Sequence, residues 1–268
     1  MGLIVRPTHD DFSVWENIPV GPHGFELAEY FLGEAGDTLP NGWETRNGGA
    51  GAPTMDYAGV SGFRLKPDAG DANVQAALRT EYAAIPVNML ADWQFWAVIQ
   101  PNASGATLDA ASDMHILLSD TALPGNENHT DGWGGGLTEW VGWAILRGTL
   151  DLYKIIGDSN GMGTVNTDSG HNMSPDNRRW CLVIDYHAAA QSDYDASRRG
   201  SLRFRVGQLA NEVSEPAWVD CGSMRCTGWR TLGSDMWNLT VQSRKMSGTS
   251  TDDLLVRGIG FLSASRHF

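Results

Sequence analysis

The chain has 268 residues and a formal charge of −13, from 32 acidic against 19 basic side chains. That excess of acid excludes a nucleic-acid surface, which must neutralise phosphates with Lys and Arg, and it disfavours an anionic membrane for the same reason. With only 19% charged and 41% hydrophobic residues the chain is also too apolar for a disordered polyelectrolyte, and it is long enough for one large β domain.

Residues 1–24 stand apart. They hold Pro7, Pro19 and Pro22, a single Trp15, and no sustained period. Proline removes backbone donors and fixes φ, so this segment is predicted to be an extended arm preceding a domain at 25–268. The start of the chain meets Pro7, Thr8, His9 and Asp10 before a secretory apolar region can develop, which predicts a chain made without a removable leader. No stretch reaches the roughly 20 apolar residues of a membrane-spanning helix.

From Phe25 the signal is β. Phe25 to Phe31 alternates, then Gly33, Gly36, Asp37, Pro40 and Gly42 break the chain. Val60 to Leu65 is a short strand. Val74 to Ile85 fits both a helical stripe and an alternation, and its strand neighbours decide for strand. Trp93 to Ile99 is the strongest strand and stops at Pro101-Asn102. Met114 to Leu118 follows. Thr138 to Leu146 and Leu150 to Ile156 flank Arg147-Gly148-Thr149 as a hairpin. Residues 157–177, rich in Gly, Asp and Asn, read as a loop. Trp180 to Tyr186, Leu202 to Val206, Trp237 to Val241 and Leu254 to Leu262 complete about ten or more strands. Cys181 reads as a buried thiol, and Cys221 with Cys226 as a pair able to close a small loop in an oxidising compartment.

Particular residues carry a resemblance. Phe31-Leu32-Gly33-Glu34-Ala35-Gly36-Asp37-Thr38-Leu39-Pro40-Asn41-Gly42-Trp43 resembles the opening of concanavalin A-like lectin/glucanase (laminin G-like) jelly rolls. Gly59 to Leu65 is similar to that fold's second strand, Asp92 to Ala97 to its core strand, and Val256 to Leu262 to its closing strand. The resemblance implies an all-β, two-sheet antiparallel jelly-roll sandwich preceded by the arm. Eleven Trp exceed what any site uses, which fits rings packed between two sheets.

Glucanases of this fold carry acids at alternate positions of one strand, so that all share a face. Glu139 has no acid two or four places on, which excludes that chemistry. Polysaccharide lyases of a related jelly roll carry Arg-Thr-Glu, Gln-Ile-His and Tyr-x-Lys-x-Gly strands. Arg79-Thr80-Glu81, His115-Ile116 and Tyr153-Lys154 occur here in that order without the Gln, and the alternative set is Arg79, His115 and Tyr153, which must converge to act. Against it, Arg79 with Glu81 reads as a surface pair and His115 as a satisfied strand residue. No cofactor is expected, apart from a calcium alternative at Asp158, Asn160 and Asp168 with Asp176 nearby. Trp133, in Asp131-Gly132-Trp133-Gly134-Gly135-Gly136, is the candidate platform for a sugar face, and Trp15 the anchor for a partner.

The expected function is a non-enzymatic structural and interaction protein, a virion (phage) decoration, collar or fibre component on a lectin-like jelly roll that also binds host glycan. Its partners are other virion or assembly proteins, met through the arm in an oligomer, with no nucleic acid and no membrane. A secreted-type lectin module and a lyase of uronate polymers are the alternatives. The expected location is the virion surface, otherwise the extracellular space.

Overall fold

The computed structural model describes residues 25–48, 51–57, 62–68, 74–89, 91–102, 112–120, 139–145, 149–158, 163–173, 178–188, 200–209, 216–225, 234–245 and 252–263. Every regular element among them is a strand. In chain order they are β1 (Phe25–Tyr30), β2 (Trp43–Gly48), β3 (Thr54–Tyr57), β4 (Phe63–Lys66), β5 (Val74–Thr80), β6 (Ile85–Asn88), β7 (Trp93–Asn102) and β8 (Ser112–Ser119). Then come β9 (Glu139–Ile145), β10 (Asp151–Asp158), β11 (Gly163–Asn172), β12 (Arg179–His187), β13 (Ser201–Leu209), β14 (Ala217–Arg225), β15 (Ser234–Lys245) and β16 (Asp253–Ser263).

They form two eight-stranded sheets, antiparallel throughout. The back sheet runs β14-β13-β12-β7-β16-β4-β3, with β1 also on β16. The front sheet runs β11-β10-β9-β8-β15-β5-β2, with β6 also on β15. Strand alternation decides what lies between them. The back sheet turns in Phe95, Ile184, Phe204 and Phe261, and the front sheet turns in Leu78, Ile116, Trp143 and Leu239, all in one buried cluster. Trp143 meets Phe204 edge to face at 5.1 Å and ties the two sheets together. Each such side chain contributes about 1.5–3 kcal/mol when fully buried.

Two expectations change. Val74 to Ile85 is two strands, because Thr80 stays in phase with the core while Tyr82 is thrown out, 71% exposed. Both halves pair with β15, β5 along 240–245 and β6 along 234–237. Residues 157–177, expected as a loop, supply the end of β10 and the whole of β11. From Asn166 to Asn172 every side chain of β11 is exposed or half exposed, so no apolar alternation announces it. Its ladder with β10 holds it, across a bulge at Leu152/Tyr153. The arm at 1–24 with Trp15 lies outside the described residues, as do Trp133, Asn160, Asp176 and Cys226.

Candidate functional site

The outward face of the front sheet is unlike an ordinary solvent face. On β15 the inward positions Trp237, Leu239 and Val241 join the core, so Asn238, Thr240, Gln242 and Arg244 point the other way. The same alternation puts Asp113, His115, Leu117 and Ser119 outward on β8, and Gln75, Ala77 and Arg79 outward on β5. The ladder aligns these positions in transverse rows. One row reads Tyr153, Ala144, His115, Gln242, Ala77, Arg46 across β10, β9, β8, β15, β5 and β2. The next reads Ile155, Gly142, Leu117, Thr240, Arg79, Glu44, and a third reads Gly157, Trp140, Ser119, Asn238.

The β9–β10 end of this face is apolar, where Leu117, Trp140, Ala144 and Ile155 cluster with Tyr153 packed against them. Trp140 lies flat over Gly157, where an added Cβ would stand 2.0 Å from the indole, so only glycine admits the ring. The middle is polar yet buried: Gln75, Asp113, His115, Ser119, Asn238, Thr240, Gln242 and Arg244 are all at or below 5% exposure. Gln75 Nε2 donates to Gln242 Oε1 at 2.5 Å, and Gln242 Nε2 lies 2.7 Å from His115 Nδ1. With Gln242 donating, Nδ1 is the acceptor and the imidazole proton sits on Nε2. Next to this relay, Asn238 Oδ1, Thr240 Oγ1 and Trp140 Nε1 are buried with no hydrogen-bond partner among the described residues. A buried polar atom left unmatched costs about 1–3 kcal/mol, so three in one patch make a place where a ligand's hydroxyls have something to gain.

At the β5–β2 end the face opens to solvent. Glu44 accepts from Arg79 Nε at 2.7 Å and from Arg46 Nε at 3.0 Å. Burial raises the Glu44 pKa, but the two guanidiniums, by hydrogen bond and by charge, outweigh it and hold the carboxyl below its usual value.

Arg79, His115 and Tyr153 therefore share one face of one sheet. Tyr153 and His115 are two strands apart in one row, about 10 Å between backbones, and Arg79 lies four strands from Tyr153, about 19 Å. Arg79 pairs with Glu44 and not with Glu81, which hydrogen-bonds Tyr82. Of the calcium set, Asp158 pairs with Gly163 and Asp168 with Tyr153, five residues apart along β11 or about 17 Å. Asp168 Oδ1 accepts the Gly170 N–H at 2.8 Å, a local turn bond. Among the described residues no group of three or more His, Cys, Asp or Glu could hold a metal ion.

Cys181 is buried and free, and burial pushes its thiol up to about 12. Cys221 is also a free thiol. Asn238, in the sequon Asn238-Leu239-Thr240, is 2% exposed, so the folded chain does not present it for glycosylation.

The residues that sequence reading overlooked are Gln75, Asn238, Thr240 and Gln242. For the three on β15 the signal was present: polar side chains at period two on a strand whose other face is Trp237, Leu239 and Val241, while Gln75 stands on β5 beside Ala76 and Leu78.

No family model and no curated protein matches this chain in sequence. Solved structures do match in shape. An endo-1,3-beta-glucanase from Streptomyces sioyaensis has 14% identity and a TM-score of 0.59, over 92% of this chain and 99% of that one. Arcelin-5, a lectin-like defense protein from Phaseolus vulgaris, has 13% identity and a TM-score of 0.51, over 90% and 99%. Lectin UEA-II, complexed with galactose, has 12% identity and a TM-score of 0.53, over 89% and 99%. At such identities the likeness speaks of fold alone. The fold is the concanavalin A-like lectin/glucanase jelly roll that the sequence resembles.

Proposed function

From the premise of a lectin-like jelly roll, we propose that this protein binds a glycan on the outward face of its front sheet without cleaving it. The observation that carries the reading is the buried row of amides and hydroxyls on β5, β8 and β15, with Asn238 Oδ1 and Thr240 Oγ1 unmatched among the described residues. A pyranose offers both hydroxyl donors and acceptors and an apolar ring face. The polar middle of the sheet answers the first, and the Trp140–Ile155 end answers the second. Basic and acidic groups alternate here, Arg79 and Arg46 around Glu44 and Arg244 opposite Asp113, so a neutral sugar suits the face better than a uronate or a sulfated one. Its one buried carboxylate, Asp113, stands opposite Arg244, and among the described residues no second carboxylate lies beside it in the buried polar middle, which suits recognition more than hydrolysis. A galactose complex is described for lectin UEA-II, which this chain is similar to in fold.

The test is a glycan array probed with the wild type and with the double variant Asn238→Ala, Thr240→Val. The reading expects a defined set of neutral glycans to bind the wild type. The double variant should bind them at least about ten-fold more weakly, since each hydrogen bond contributes about 0.5–1.5 kcal/mol. Its melting temperature should be unchanged or slightly higher, because the removed groups had no partner to lose. Retained binding by the variant, or an array silent to the wild type, overturns the reading.

A further inference from the structure

A second recess lies on the back sheet, away from the polar face. It is a cleft of about 270 Å³ where β1 ends and the chain turns towards β2, lined by Tyr30, Leu32, Asp37, Thr38, Pro40 and Tyr57. Tyr57 is its floor. The ring is 4% exposed and packs against Phe63 at 5.2 Å, edge to face. Gly33 runs directly over it, and a Cβ there would stand 2.7 Å from the ring, so the aromatic face is closed and the hydroxyl is what the cleft receives. No hydrogen bond reaches that hydroxyl among the described residues. Burial raises the phenol's pKa, and the charges of Glu29 and Asp37 raise it further, so two carboxylates act on this one atom.

Neither carboxylate has an ion-pair partner among the described residues. Asp37 Oδ2 accepts the Glu34 N–H at 2.8 Å, which shapes the turn and leaves the other oxygen open. The segment 25–42 contains Glu26, Glu29, Glu34 and Asp37 and no Lys, Arg or His. The recess therefore combines a negative potential, a buried phenol with no partner among the described residues, a threonine hydroxyl and an open carboxylate oxygen, beside exposed Leu32 and half-buried Pro40. The uncompensated carboxylate oxygen and the two hydroxyl oxygens beside it make three acceptors, which match the three donors of an ammonium group. The volume exceeds what a bare ammonium fills and has room for one small ring.

We infer that this cleft binds a primary ammonium group carried on a single sugar ring, an amino sugar. The ammonium meets Asp37, Tyr57 and Thr38, and the ring rests on Leu32 and Pro40. The site stands independently of the front-sheet face.

The test is titration of the full chain with glucosamine, followed by NMR at low salt, with N-acetylglucosamine as the isostere that lacks the charge. Saturable shifts at Tyr57 and Asp37 are expected with glucosamine, and at least about ten-fold weaker binding with N-acetylglucosamine. Asp37→Asn keeps an acceptor for the Glu34 N–H and so keeps the turn, while removing the charge; it should weaken glucosamine about ten-fold, and added salt should weaken the wild type. Tyr57→Phe keeps the ring packing and should weaken binding several-fold. The Asn238→Ala, Thr240→Val variant should bind glucosamine as the wild type does. Equal binding of the acetylated sugar, no saturable shift with glucosamine, or an unaffected Asp37→Asn variant overturns the inference.

Discussion

The two outward faces of the sandwich are built from the same backbone and meet the same requirement, a polar row over a buried sheet, in opposite ways. On the back sheet Asp185 is closed in: it accepts from Gln94 at 2.6 Å and from Arg205 Nε and Nη2 at 2.7 and 2.9 Å. Arg205 in turn lies 5.2 Å from the Trp218 ring centroid. Beside them Trp96, Val98, Cys181 and Val183 make a small apolar layer of their own. On the front sheet the charged Asp113 and Arg244 stand opposite each other at one end of the polar patch, while Asn238, Thr240 and Gln242 are neutral amides and a hydroxyl, and Asn238 Oδ1 and Thr240 Oγ1 are left without partners among the described residues. Charged groups that saturate one another hold a surface in place, whereas unsaturated neutral groups leave hydrogen-bonding capacity for something else. The Asp185–Arg205 pair is accordingly structural, with Gln94 Oε1 beside it the one amide oxygen of that row left unmatched among the described residues, and the β8–β15 row is where a glycan is to be sought.

The largest effect that separates the two faces is on stability. Arg205→Met strands the Asp185 carboxylate, whose side chain is only 11% exposed, and should destabilise the protein by about 3 kcal/mol, measured by urea unfolding. Asn238→Ala with Thr240→Val should cost almost nothing in the same experiment while weakening glycan binding at least about ten-fold. If the front-face pair proves as destabilising as Arg205→Met, the contrast between the faces fails.

A smaller effect concerns pH. His171 on β11 stands edge to face with Trp180 at 5.1 Å, and burial lowers its pKa below the ordinary imidazole value. The unfolded chain then takes up a proton below about pH 6.5 that the folded chain resists, so this contribution to stability falls as the pH drops from there through the folded value. Glu29 and Asp253 work the other way: burial raises both, and acidification relieves them. His171→Phe keeps the ring contact and should flatten the loss of stability between pH 7 and 5. An unchanged slope would show that His171 is no part of the acid response.

The fold was legible because it rests on patterns that sequence states directly. Trp93 to Ile99 and Leu254 to Leu262 are strands in any reading, and together they form the adjacent pair β7 and β16 at the middle of the back sheet. β11 and β14 were not legible, since both are sheet edges whose side chains mostly face water and whose order comes from the neighbouring ladder. The polar row was half legible. His115 drew attention as a residue type with chemistry, while its partner Gln242 lies 127 positions away and only the pairing of β8 with β15 brings them together. Tyr153 and Arg79 illustrate the converse, since order along the chain suggested a set and the strand order β10-β9-β8-β15-β5 spreads it across the sheet.

The most direct measurement is side-chain NMR of His115 and Gln242 as a glycan selected on the array is added. Without ligand the His115 ring should show an unprotonated Nδ1 and a protonated Nε2, as the relay from Gln75 dictates. With ligand the resonances of His115, Gln242, Asn238 and Thr240 should shift together and saturate, while those of Gln94 and Arg205 on the opposite face stay still. Shifts confined to the back face, or binding that leaves the β8–β15 row untouched, would contradict the account.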